Sequence, residues 1–167
     1  MQNLIFTLKR QRGLVIFFIL LFTLMTDLLS KAWARDTLDG NTYSFLEGGL
    51  IFHHSENPGA FLSLGAGLDP RVRFWIFTVG ITVLILGMLV FLIRNRNLPL
   101  AQTAAYSLVA AGGMGNLADR LMKESVTDFI NLGIGPVRTG VFNVADMAIM
   151  LGTFILIVEG FRKTNRE

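Results

Sequence analysis

Two aspartates have the type and setting to do chemistry. Asp146 interrupts "VFNVADMAIMLGTFILIVEG" (Val141 to Gly160), a stretch otherwise suited to lipid, and Asp128 lies earlier, in "VTDFI". A carboxylate placed in hydrocarbon costs at least about 2.5 kcal/mol, so it faces a protein interior and has a partner there. Asn143, three residues before Asp146, would share its helix face and direct an amide at the same spot. Two carboxylates brought close cannot easily both ionise, so the pair holds one proton and offers an acid and a base together. Such a pair can activate water against a peptide carbonyl, which is aspartic-protease chemistry. A buried carboxylate could equally serve a proton-coupled transporter, or sit in a helix's first turn as a structural group in a membrane scaffold. The residues alone leave these three readings open.

Other chemistries find less support. The chain has no cysteine, hence no disulfide, thiolate metal site or cysteine nucleophile. His53 and His54 are adjacent and would face opposite sides of a strand, so no metal or other cofactor is expected. Gly113 to Ala118 matches G-x-G-x-x-A, but no strand precedes it and it lies inside an apolar run. There is no G-x-S-x-G elbow. Ser30 and Lys31 point apart on a helix, which argues against a serine–lysine dyad. Lys123 and Glu124 read as a solvated surface pair, and Asp27 with Lys31 as an i, i+4 ion pair.

The elements that must position the aspartates are membrane helices. Of 167 residues 52% are apolar and 16% charged, against about 25% charged in soluble domains. The apolar residues fall in four long runs, predicting a single domain (1–167) with transmembrane helices at about 13–32, 72–93, 98–118 and 141–160. Eight of the fifteen Lys and Arg flank these runs closely: Lys9, Arg10 and Arg12, then Arg94 and Arg96, then Arg162, Lys163 and Arg166. That bias places both termini in the cytoplasm. The formal charge of +3 forms no basic stripe, so nucleic acid is not an expected partner. A basic start followed by an apolar run and "AWA" (Ala32 to Ala34) also resembles a signal peptide, but the run is long, and Asp27 and Lys31 before it favour an uncleaved span.

The first outer connection reads as a small extracytoplasmic antiparallel sheet at about 41–66. Its strands are expected at 43–54 and 60–64 about a type II turn at Asn57-Pro58-Gly59, with a short interfacial helix leading into the second span. The orientation gathers Asp27, Lys31, Asn116, Asp119, Arg120, Asn143 and Asp146 at the outer ends of their spans, with Asp146 about 5 to 10 Å beneath the surface. Gly112, Gly113 and Gly115 would let helices approach closely.

At this point the sequence resembles the lipoprotein signal peptidase, or signal peptidase II, family. The likeness is carried by "TDLLSK" (Thr26 to Lys31), "NPGAF" (Asn57 to Phe61), "GGMGNLADR" (Gly112 to Arg120), "VTDFI" and "FNVADMAI" (Phe142 to Ile149). One departure is Asn57-Pro58-Gly59-Ala60-Phe61 where many members read N-x-G-A-A-F. The resemblance implies a monomeric, multi-pass α-helical enzyme of the bacterial inner membrane, with four spans, an extracytoplasmic β-cradle and its site at the outer leaflet. It implies an aspartic endopeptidase that cleaves diacylglyceryl-modified prolipoproteins before the lipidated cysteine and is a target of globomycin-type peptides. Asp128 and Asp146 would be catalytic, with Asp27, Lys31, Asn57, Gly59, Gly112, Asn116, Asp119, Arg120 and Asn143 lining or supporting the site.

Overall fold

The computed structural model describes residues 2–60 and 63–164, with side chains between 12 and 162. Phe61, Leu62 and Arg166, and the side chains of Lys9, Arg10 and Lys163, lie outside the described residues. Helix α1 (Gln2–Leu38) leads to strands β1 (Thr42–Phe45) and β2 (Leu50–Asn57). α2 (Pro70–Arg73) runs through a π-helical stretch, Phe74–Gly80, into α3 (Ile81–Arg94), and α4 (Leu100–Lys123), β3 (Val126–Ile134), β4 (Val137–Arg138) and α5 (Val144–Thr164) follow.

Among the described residues three helices are long and apolar enough to cross a membrane: Arg12–Leu38, Pro70–Arg94 and Val144–Arg162. Their outer faces expose large apolar side chains such as Phe22, Leu84 and Phe154. α4 is as long but differs in composition, burying Thr103, Ser107, Asn116 and Asp119 among alanines and glycines. It sits between α1, α3 and α5, where small residues permit close packing and few side chains meet anything but protein. At one end of the bundle Arg12 of α1 donates to the Leu92 carbonyl of α3 at 2.6 Å, beside the turn joining α3 to α4.

The sheet at the other end differs from the expected one. Its order is β1-β2-β3-β4, all antiparallel, so half of it comes from the connection between α4 and α5. The hairpin closes at residues 46–49, with Leu46, Glu47 and Gly48 at positive φ, not at Asn57-Pro58-Gly59. Gly59 keeps a negative φ and is required for a different reason, since a Cβ there would meet the Leu64 carbonyl at 2.5 Å. The expected strand at 60–64 is not formed by the described residues, where Ala60 accepts no strand partner and instead donates its N–H to Leu64 O at 2.8 Å. Among the described residues the interfacial piece is not a separate helix from the span; Asp69 caps Pro70–Arg73, which is the first turn of the helix that continues to Arg94.

α1 continues past its expected end to dock under the sheet. Ala34 and Leu38 pack with Phe129 of β3 in a buried cluster, and Trp33 meets the rings of Phe52 and Phe129 edge-on at 6.0 and 6.1 Å. That packing fixes β3, and with it Asp128, over the ends of the helices.

Candidate active site

The start of α5 is built as a capping box. Asn143 stands just ahead of the helix rather than on its face, and its Oδ1 accepts the Asp146 N–H at 2.9 Å while Asp146 Oδ2 accepts the Asn143 N–H at 3.3 Å. The Ala145 N–H, another donor with no partner inside the helix, is taken by Asp27 Oδ1 of α1 at 2.9 Å. In apolar surroundings these bonds supply what water would otherwise supply. They also fix the Asp146 carboxylate at the first turn, with one edge turned toward α4.

The Asn143 amide is the junction between the two aspartates. Its Nδ2 donates to Asp128 Oδ1 at 2.7 Å and to Asn116 Oδ1 at 3.1 Å. Asn116 in turn donates to Asp146 Oδ1 at 2.8 Å. The second oxygen of Asp128 accepts from Asn57 Nδ2 at 3.0 Å, across the β2–β3 pair where Asn57 faces Val126. Asp128, Asp146, Asn143, Asn116 and Asn57 therefore converge from β2, β3, α4 and α5 on one spot.

Under this spot lies a buried ionic group. Lys31 is completely buried; it donates to Asn116 Oδ1 at 2.9 Å and forms ion pairs with Asp27 (2.7 Å) and Asp119 (3.3 Å). By occupying the Asn116 oxygen it turns the Asn116 NH2 toward Asp146. The expected i, i+4 ion pair of Asp27 with Lys31 is present, and it is fully buried. Asp119 also accepts the Thr127 N–H at 3.0 Å, tying α4 to β3 one residue before Asp128. Gly112 and Gly115 permit the assembly: a Cβ on Gly112 would collide with the Ala145 carbonyl, and one on Gly115 with Asp27 Oδ2.

Arg120 and Gly59 form the rim, with Arg120 Nη2 donating to the Gly59 carbonyl at 2.7 Å. Behind the rim a cavity of about 480 Å³ opens along α5, lined by Ile149, Met150, Phe154 and Ile157 and ending at Asn116, Arg120 and Asp146. Burial, with the nearby charge of Asp146 and against hydrogen bonds from Asn57 and Asn143, raises the Asp128 carboxyl from 3.8 to about 7. At that value it can give up or take a proton near neutrality.

Several participants were not legible beforehand. Thr127, whose carbonyl accepts from Asn143 at 3.2 Å, carries no signal of its own in the sequence. Lys123 does not pair with Glu124 in solvent; it reaches Glu56 at 3.0 Å and Asp119 at 3.5 Å, and also contacts Thr127 Oγ1. Adjacent residues on a helix diverge, so that correction was available from geometry. His54 meets Glu56 at 3.0 Å, and among the described residues no cluster of three or more His, Cys, Asp or Glu could hold a metal.

The fold recurs in known proteins. Two solved structures of bacterial membrane enzymes share the fold, one at a TM-score of 0.79 with 24% identity, covering 91% of this chain and 90% of that one. The other has a TM-score of 0.71 and 25% identity, with 86% and 90% covered. The lipoprotein signal peptidase of Syntrophomonas wolfei is 34% identical over 83% of this chain and 87% of its own. That of Shewanella oneidensis is 32% identical over 95% and 92%. The family model for signal peptidase (SPase) II matches residues 19–162, which contain every residue of the site just described, and the chain belongs to that peptidase family.

Proposed function

We propose that this protein is an intramembrane aspartic endopeptidase that removes the signal peptide from diacylglyceryl-modified prolipoproteins, cutting before the lipidated cysteine. The observation that carries the reading is the Asn143 amide, which is held by Asp146 through the capping box and donates to Asp128 at 2.7 Å, so two carboxylates from separate elements share one polar junction. In this mechanism the pair carries one proton. The ionised carboxylate takes a proton from water as the water oxygen attacks the scissile carbonyl carbon, and the protonated carboxyl donates to the carbonyl oxygen. Collapse of the tetrahedral intermediate breaks the C–N bond, and the proton taken from water passes to the departing cysteine amine. Asn57, Asn116 and Asn143 keep both carboxylates oriented, and Arg120 sets positive charge beside the developing oxyanion.

The membrane arrangement belongs to the same proposal. α4 is a fourth span, sheltered by its neighbours, in a single domain of the bacterial inner membrane with both termini cytoplasmic, and the protein works as a monomer. The polar junction then sits at the outer leaflet. Acyl chains hold a lipidated cysteine at that depth with about 0.8 kcal/mol per buried methylene. The cavity along α5 offers apolar walls leading to Asp146.

The test is cleavage of a purified diacylglyceryl-modified prolipoprotein in detergent, with and without globomycin. Asp128→Asn and Asp146→Asn are each expected to abolish cleavage while the protein still inserts, and substantial residual activity in either rejects the dyad. A proton or solute flux into proteoliposomes that requires Asp146, without cleavage, would point to transport instead.

A further inference from the structure

A second cavity, of about 250 Å³, opens on the other side of Arg120, between the loop after β2, the start of the Pro70–Arg94 helix and the end of α4. Its walls include Arg71, Arg73 and Arg120, with Glu124 opposing them, and the rings of Trp75 and Phe77. Among the described residues none of the three arginines has a carboxylate within ion-pair distance. Arg73 spends one guanidinium nitrogen on the Ala66 carbonyl at 2.7 Å. Arg120 is 8% exposed, spans both cavities, and keeps a buried Nε with no hydrogen-bond partner. A cavity lined by three guanidinium groups and one carboxylate carries net positive charge, which attracts an anion.

The surroundings select the kind of anion. Phe74 and Trp75 are 50% and 65% exposed on the first turns of a helix apolar enough to cross a membrane, the pattern of headgroup-level anchors. Planar guanidinium groups match the paired oxygens of a phosphate, and basic pockets between membrane helices take anionic headgroups. The cavity is below the roughly 300 to 1,000 Å³ of pockets that engulf a whole ligand, which suits a headgroup whose chains remain in the lipid. We propose that this cavity binds the phosphodiester headgroup of an anionic glycerophospholipid of the outer leaflet, beside the catalytic cavity and sharing Arg120 with it. The inference rests on the membrane orientation given above and not on peptide cleavage.

The experiment equilibrates the purified protein with micelles containing equal parts phosphatidylglycerol and phosphatidylcholine and measures, by native mass spectrometry, the lipid that stays bound. The wild type is expected to retain phosphatidylglycerol preferentially. Arg71→Gln should lower that retention about fivefold and Arg71→Gln with Arg73→Gln roughly 25-fold, at about one surface charge contribution per arginine, leaving phosphatidylcholine unchanged. Glu124→Gln removes the opposing charge and should raise retention, an outcome that a misfolded variant cannot give. Equal retention of the two lipids by the wild type, or no response to any of the three variants, overturns the proposal. Displacement of phosphatidylglycerol by inorganic phosphate or glycerol 3-phosphate at comparable concentration would overturn the lipid assignment in favour of a soluble phosphate. Retention does not depend on cleavage, so a failed peptidase assay and a failed lipid assay remain distinct results.

Discussion

Replacing Asp128 by asparagine keeps the shape of the side chain and removes its titration. In the folded protein burial lifts this carboxyl from 3.8 to about 7. A carboxyl whose folded pKa lies above its unfolded value binds more protons folded than unfolded between the two, so the stability it contributes is complete below about 4 and is lost as the pH rises through 7. At about 1.36 kcal/mol per pH unit, the interval corresponds to about 4 kcal/mol. Asp128→Asn escapes that loss. It also places an NH2 where Asn57 Nδ2 now donates to Asp128 Oδ2 at 3.0 Å, a pH-independent cost of about 1 to 3 kcal/mol. Thermal unfolding of wild type and variant in the same detergent, at steps from pH 4 to 9, isolates the titration of the Asp128–Asp146 pair, because groups not coupled to Asp128 cancel in the difference. The variant should gain on the wild type by about 4 kcal/mol over that range, the difference growing from pH 4 and levelling above 7. A difference that stays constant from pH 4 to 9 would refute the claim that this carboxyl is held protonated by burial.

Three further perturbations probe the scaffold. Lys31→Met leaves Asp27 and Asp119 buried without their shared cation and should cost about 3 to 5 kcal/mol, read as a loss of folded protein after solubilisation; a normal melting temperature would contradict the ion cluster. Asn143→Ala removes the α5 cap and the donor to Asp128, predicting about 0.5 to 2 kcal/mol lower stability but a much larger fall in cleavage, so equal losses in both would argue that the residue only caps. Gly112→Ala forces a methyl against the Ala145 carbonyl; about 1 to 3 kcal/mol of overpacking and up to roughly 100-fold lower activity are expected as Asp146 shifts, and unchanged kinetics would show the helices can part without harm.

Much of the molecule was readable because lipid imposes simple demands. Three long apolar helices appear where the sequence places apolar runs, since a backbone in hydrocarbon must close its own hydrogen bonds. The polar residues Asp27, Lys31, Asn116, Asp119, Asn143 and Asp146 were expected at a common depth, and they meet. The sheet was read only in part. β2 carries alternation of its own, but its partner on the far side is β3, whose residues 126–134 lie more than sixty positions along the chain. No local pattern announces such a pairing, so "VTDFI" by itself does not show which strand Asp128 lies beside. The turn at Asn57-Pro58-Gly59 has suitable residues for a hairpin, yet tertiary packing uses Gly59 for close approach and Asn57 for its amide.

From composition and spacing the sequence determined that the chain enters a membrane and that Asp27, Lys31, Asp119, Arg120 and Asp146 share one end of it, because burying a charge in lipid is too costly to be accidental. Only the tertiary structure decided how they join. Asn143 stands outside α5 as its cap, which frees its amide to reach Asp128 across the gap to β3; Lys31 fixes which way Asn116 faces. Both depend on helix ends and a strand meeting within hydrogen-bond distance, a condition that chain separation along the sequence does not encode.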